Sequence, residues 1–176
     1  ERTHQVMLEG LFTTVTNVNF DHEAIARQIE TTQSVKEVFG GADNYDMQKL
    51  WQGDEDIRSL KSLILFGIRG MAAYAYHAMV LGYASEQVND FFYKALRAIG
   101  ADDITADELL ELVMETGKVN LACMDLLDKA NTETYGTPEP TQVTMTIEKG
   151  PFIVVSGHDL YDLHRLLEQT KDKGIG

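Results

Sequence analysis

From Leu63 to Ala84 the chain is apolar around every helical face, and only Arg69 and His77 interrupt the pattern. A helix that is hydrophobic all round belongs either at the centre of a packed protein or in a membrane. Arg69, near the middle of the stretch, would cost about 3 kcal/mol at the centre of a bilayer. Gly67, Gly70 and the alanines favour close contact between helices. The stretch is therefore expected to be the central helix of a bundle.

The flanking sequence supplies the rest of such a bundle. Asp21 is a cap for a helix running to about Phe39, with Ala24, Ile25, Ile29, Thr32 and Val35 on one face. Gly40 to Gly53 reads as a loop anchored by Leu50 and Trp51. Asp54-Glu55-Asp56 opens the long helix, where acids suit the N-terminus, and Ile57, Leu60, Ile64, Ile68 and Met71 follow at helical spacing. Ser85 caps an amphipathic helix carrying Val88, Phe91, Phe92, Ala95, Leu96 and Ile99, which Gly100 ends. Thr105-Ala106-Asp107-Glu108 is a capping box. The helix behind it is expected to bury Leu110, Val113, Met114, Leu121, Met124 and Leu127, with Gly117 on the same face admitting a neighbouring backbone.

The pattern changes after Tyr135. Pro138, Pro140 and Pro151 are the only prolines, and Val143, Met145 and Ile147 alternate with Thr144 and Thr146 as in a half-exposed strand. Phe152-Ile153-Val154-Val155 reads as a strand buried on both faces, as in a parallel sheet. Ser156-Gly157-His158-Asp159 and an amphipathic helix follow. The expected fold class is mainly α: a helical bundle over 1–136, then a linker and the first β–α unit of a Rossmann-like α/β domain over 137–176. Ligands of open α/β sheets bind beyond the carboxyl ends of the strands, which is where His158 falls. A helix N-terminus disfavours imidazolium, and neutral imidazole is the form that binds metal.

A formal net charge of −13 and a pI near 4.7 set this chain against nucleic acid and anionic membranes, whose binding relies on Lys and Arg. Neither is expected as a partner. Cys123 is the only cysteine, which rules out an internal disulfide and fits a reducing cytoplasm. The sequence opens without a signal-peptide pattern and without Met, and it stops just after a helix; it reads as a fragment of a longer protein. It contains no CxxC, HExxH, Walker A or GxGxxG pattern.

Several motifs in one order carry a resemblance: TNVNFD at 16–21, GIRGMAAYAYHAMVLG at 67–82, MDLLDKANTETYG at 124–136, YGTPEPTQV at 135–143, and SGHDL at 156–160 followed by LLEQTKDKGIG. Together they resemble the hybrid cluster protein family, the prismane or hydroxylamine reductase proteins. That resemblance implies a parent oxidoreductase reducing hydroxylamine or a related small nitrogen species to ammonia and water, with a separate electron-donor protein. It also implies two iron centres, an iron–sulfur cubane and a hybrid iron–sulfur–oxygen cluster.

By the same resemblance His158, in SGHDL, takes the part of a ligand to the hybrid cluster, while no catalytic residue is assigned. The family's cysteine-rich motif is expected before residue 1 and the remaining ligands after residue 176. Cys123 aligns with no cluster ligand and reads as a core residue. Iron–sulfur clusters need several thiolates, so this chain alone is expected to be inactive. His77 reads as a core histidine, with Tyr76 beside it where the family would have a Glu. Asp159 reads as a helix cap and His164 as solvated; His4 and His22 form no constellation. Two alternatives stay open: a metal-free helical scaffold or interaction module, and a small metal-binding protein using His158 at an oligomer interface.

Overall fold

The computed structural model describes residues 2–16, 21–41, 44–147, 149–157 and 159–175. Two units divide the chain, Glu1–Thr134 and Tyr135–Gly176. Helices α1 (Arg2–Thr16), α2 (His22–Val38), α3 (Glu55–Val80), α4 (Glu86–Gly100) and α5 (Ala106–Tyr135) make up the first unit, together with a 3-10 turn at Met47–Trp51. Helix α6 (Leu160–Thr170) belongs to the second.

Helix starts follow the local chemistry. Asp21 accepts from the Ala24 amide at 2.9 Å, Asp46 from Gln48 at 3.0 Å, and Asp54 from Asp56 and Ile57 at 3.0 and 3.2 Å. Each carboxylate satisfies amides that lack an intrahelical partner. The capping box forms as expected: Glu108 accepts from the Thr105 amide at 2.9 Å, while the Glu108 amide donates to Thr105 Oγ1 at 3.3 Å. Ser85 occupies the cap position of α4 without a side-chain hydrogen bond.

The core of the first unit lies where α1, α3, α4 and α5 converge. Leu8, Ile64, Ile68, Met71, Val88, Phe92, Leu109 and Cys123 are fully buried there, and Leu50 closes it from the 3-10 turn. Large apolar side chains so placed contribute about 1.5–3 kcal/mol each. Helix α3 is long and apolar enough to cross a membrane by length and composition. In this fold it supplies much of the core, and its two central cations are spent on helix ends. Buried Lys61 donates to the Ala101 carbonyl just beyond α4, at 2.5 Å. Arg69 donates to Thr14 Oγ1 at 2.7 Å and to the Thr14 carbonyl in the last turn of α1, with its guanidinium over the Phe66 ring. Both cations meet the negative end of a helix dipole.

Several expectations need correction. Helix α1 was not anticipated, although Met7, Leu8, Leu11, Phe12 and Val15 follow helical spacing. Its threonines disguise it, and Thr13 and Thr14 bond back to the carbonyls of Glu9 and Leu11. Helix α2 forms, yet Ile25 and Ile29 on its apolar face are exposed. Trp51 is half exposed against the Phe66 ring, leaving Leu50 as the anchor of its turn.

Helix α5 turns a different side inward. It buries Leu109, Leu112, Thr116, Val119, Cys123 and Ala130 and exposes Leu110, Met114, Leu121 and Met124; of the expected face only Val113, packed against the core, and Leu127 are half-buried. Both sets have helical spacing. The buried one includes smaller residues, which let α5 approach α3 closely: a Cβ on Gly67 would stand 2.9 Å from Thr116 Cγ2. Gly70 and Gly117, expected at such approaches, have nothing within 4 Å where a Cβ would be.

No strand forms among the described residues. Val143, Met145 and Ile147 are exposed, as are all four of Phe152–Val155. A strand is defined by the ladder it makes with a neighbour, and a parallel one needs a crossover as well. Among the described residues of 137–176, Phe152–Val155 has no parallel neighbour. The mainly helical class holds, and the expected β–α unit is here an extended segment leading into α6.

Candidate metal-ligand segment

The segment expected to carry a ligand is built from two glycines and a capped helix. Gly150 and Gly157 adopt φ of +154° and +126°, on either side of the extended Phe152–Val155 run. Asp159 then accepts from the Tyr161 and Asp162 amides at 2.9 and 3.2 Å and starts α6. Its carboxylate answers the positive end of the α6 dipole. His158 itself lies outside the described residues. His164 is exposed on α6, its ring 5.7 Å from that of Tyr135. The Tyr135 hydroxyl is buried without a hydrogen-bond partner. Its pKa is raised, first by burial and then by the Asp159 carboxylate.

The other candidate donors are scattered. Cys123 is fully buried, and its Sγ donates to the Met71 carbonyl at 3.6 Å. Burial pushes its thiol up to about 12, so it is not the thiolate that a cluster requires. His77 packs in a three-ring cluster with Phe12 and Tyr76, its centroid 5.4 and 5.9 Å from theirs and theirs 5.3 Å apart. His22 is exposed at the start of α2.

His4 is the residue that sequence reasoning undervalued. Its ring packs against Phe92 and Tyr93 at 6.2 and 6.0 Å, and both nitrogens are sealed from solvent. Burial lowers its pKa; the Asn89 side chain works against that shift without reaching hydrogen-bond geometry. The available signal was the apolar pair Met7 and Leu8, three and four residues further along the same helical face.

Among the described residues, no three His, Cys, Asp or Glu side chains come together as a metal site. The described donor set does not fit an iron–sulfur cluster, because its one thiol is protonated and enclosed.

The sequence of the whole chain, residues 1–176, matches the model of the Prismane/CO dehydrogenase family. The chain belongs to that family. It is 43% identical to a hydroxylamine reductase of Caldanaerobacter subterraneus subsp. tengcongensis and 42% identical to one of Porphyromonas gingivalis, each match covering 99% of the chain. A hydroxylamine reductase of Methanosarcina mazei is 41% identical, again over 99% of the chain. The chain spans only about 36–37% of the length of these family members. The first match runs over 204 positions, more than the chain's 176 residues, so that relative carries residues within the matched region that this chain lacks.

Proposed function

We propose that this chain is part of a hybrid-cluster iron–sulfur oxidoreductase that reduces hydroxylamine, or a related small nitrogen species, to ammonia and water. The observation that carries the reading is the likeness to hydroxylamine reductases over 99% of the chain. The ordered motifs ending in Ser156-Gly157-His158-Asp159-Leu160 agree with it. In the overall reaction hydroxylamine takes up two electrons and two protons and its N–O bond breaks, with a separate electron-donor protein supplying the electrons. The clusters supply that redox chemistry, and most of their ligands come from polypeptide outside these residues. This chain contributes His158 as one neutral nitrogen ligand of the hybrid cluster, and alone it is inactive. Its place is the cytoplasm, in keeping with a single reduced cysteine.

The exposed Phe152–Val155 run gains its meaning in the same setting. Four consecutive apolar residues between two turns, followed by a capped amphipathic helix, have the pattern of a central parallel strand. With the remaining strands of an α/β domain present, the run becomes the first strand of a Rossmann-like sheet.

The dispersed donors and the protonated Cys123 favour a second reading, a helical scaffold that binds no metal. Iron and acid-labile sulfide, counted per chain after anaerobic purification, test the two. The enzyme reading expects both in the protein purified from its own cells, reduced on His158→Ala, and almost none in these 176 residues alone. A protein from its own cells without iron would leave the scaffold. Stoichiometric iron in the isolated chain would overturn the claim that it is inactive for want of ligands.

A further inference from the structure

Three of the seven methionines belong to the core or lie against it. Met71 is fully buried, and Met7 and Met79 pack on the core cluster. The other four face solvent, though unequally. Met47, Met114 and Met124 are 50, 62 and 44% exposed on the 3-10 turn and α5, whereas Met145 is 92% exposed in the non-helical segment between α5 and α6. Met124 Sδ also accepts from Asn120 Nδ2 at 3.6 Å, which engages a sulfur lone pair. Val143 and Ile147, in the same alternating row as Met145, are themselves well exposed and give its sulfur little cover.

Oxidation of a thioether needs an approach to a sulfur lone pair, so exposure sets the order of reaction. Position then decides the effect. A sulfoxide is polar: an oxygen added at Met71 would place a polar group in the core, while one added at Met145 stays in water. We propose that Met145 is a reversible oxidation site, the first of the seven methionines to react with hydrogen peroxide and one whose modification leaves the bundle closed. The sulfur lone pair attacks one peroxide oxygen and the O–O bond breaks. The sulfur, oxidised by two electrons, keeps that oxygen as the sulfoxide, and the other oxygen leaves with both hydrogens as water. A methionine sulfoxide reductase reverses the change with a dithiol, which becomes a disulfide as the sulfoxide oxygen departs as water. A non-helical segment suits that repair, because the reductase must close around the side chain. Peroxide is thus taken up at Met145 ahead of Met71 and of Cys123, whose thiol is buried and protonated. Bound iron plays no part in this step.

Brief peroxide treatment of the protein purified from its own cells tests the proposal, with a metal chelator present so that only two-electron oxidation is read. Peptide mass spectrometry follows each methionine. Met145 is expected to gain oxygen about threefold faster than Met114 or Met47 and about a hundredfold faster than Met71. When half of Met145 carries oxygen, Cys123 should still resist iodoacetamide. The two stereospecific methionine sulfoxide reductases, supplied with a dithiol, should then return Met145 to the thioether. Any other of the seven methionines reacting first overturns the proposal. So does alkylation of Cys123 that rises in step with oxidation of Met145, because the bundle would then open. Sulfoxide at Met145 that both reductases leave in place overturns the reversible site as well.

Discussion

Gly67 of α3 and Thr116 of α5 are in such close register that a Cβ on the glycine would lie 2.9 Å from the threonine methyl. Gly67→Ala gains up to about 1 kcal/mol of helix propensity but forces that methyl or a helix to move, at about 1–3 kcal/mol. We expect a net loss of about 1–2 kcal/mol in urea unfolding, largely recovered by adding Thr116→Ser. Gly70→Ala, one turn along in open space, should instead stabilise by up to about 1 kcal/mol.

Lys61 is an interior cation with a defined task, donating to the Ala101 carbonyl beyond the end of α4. Hydrogen bonds from charged groups contribute about 1.5–3 kcal/mol. Lys61→Ala should cost about that much in a chemical melt. Lys61→Met, which keeps the buried stem, should cost less.

His4 makes stability depend on pH. Burial favours its neutral form in the folded state, so its folded pKa lies below the ordinary 6.5. The unfolded chain therefore binds the proton first as pH falls. The contribution of His4 is complete above about pH 6.5 and is lost as pH drops through the lowered folded value. Urea midpoints measured from pH 8 to pH 5 should decline in the parent sequence and decline less in His4→Phe.

Cys123 should be inert while the chain is folded. With its thiol pushed up to about 12 and fully buried, it should react with an aromatic disulfide reagent at least a hundredfold more slowly than in urea. Rapid labelling under native conditions would show that the α3/α5 contact opens.

Much of the helical framework was legible because its signals are local. Asp21, Asp54 and the Thr105/Glu108 pair mark helix starts through bonds made within three residues of themselves. The wide apolar surface of α3 announced its place in the core in the same way. The inward face of α5 was not legible, because two stripes had equally good periodicity. The choice fell to a contact with Gly67, distant in sequence. The Phe152–Val155 strand was read from an apolar run alone, and among the described residues that run has no ladder partner, so its composition could not make it a strand here. As for the site, Asp159 was legible as a cap, whereas the enclosure of His4 depends on α4, far along the chain.

Asp21, Asp46, Asp54 and Asp159 all serve as helix caps through side-chain oxygens that accept from backbone amides. Asparagine offers an equivalent acceptor at such positions and ranks with aspartate as a cap. Part of the chain's acidity is thus separable from its architecture. Four Asp→Asn exchanges would bring the formal charge from −13 toward neutrality while keeping every cap acceptor, giving a less acidic surface on an unchanged scaffold. Electrophoretic mobility could then be varied independently of the cap hydrogen bonds.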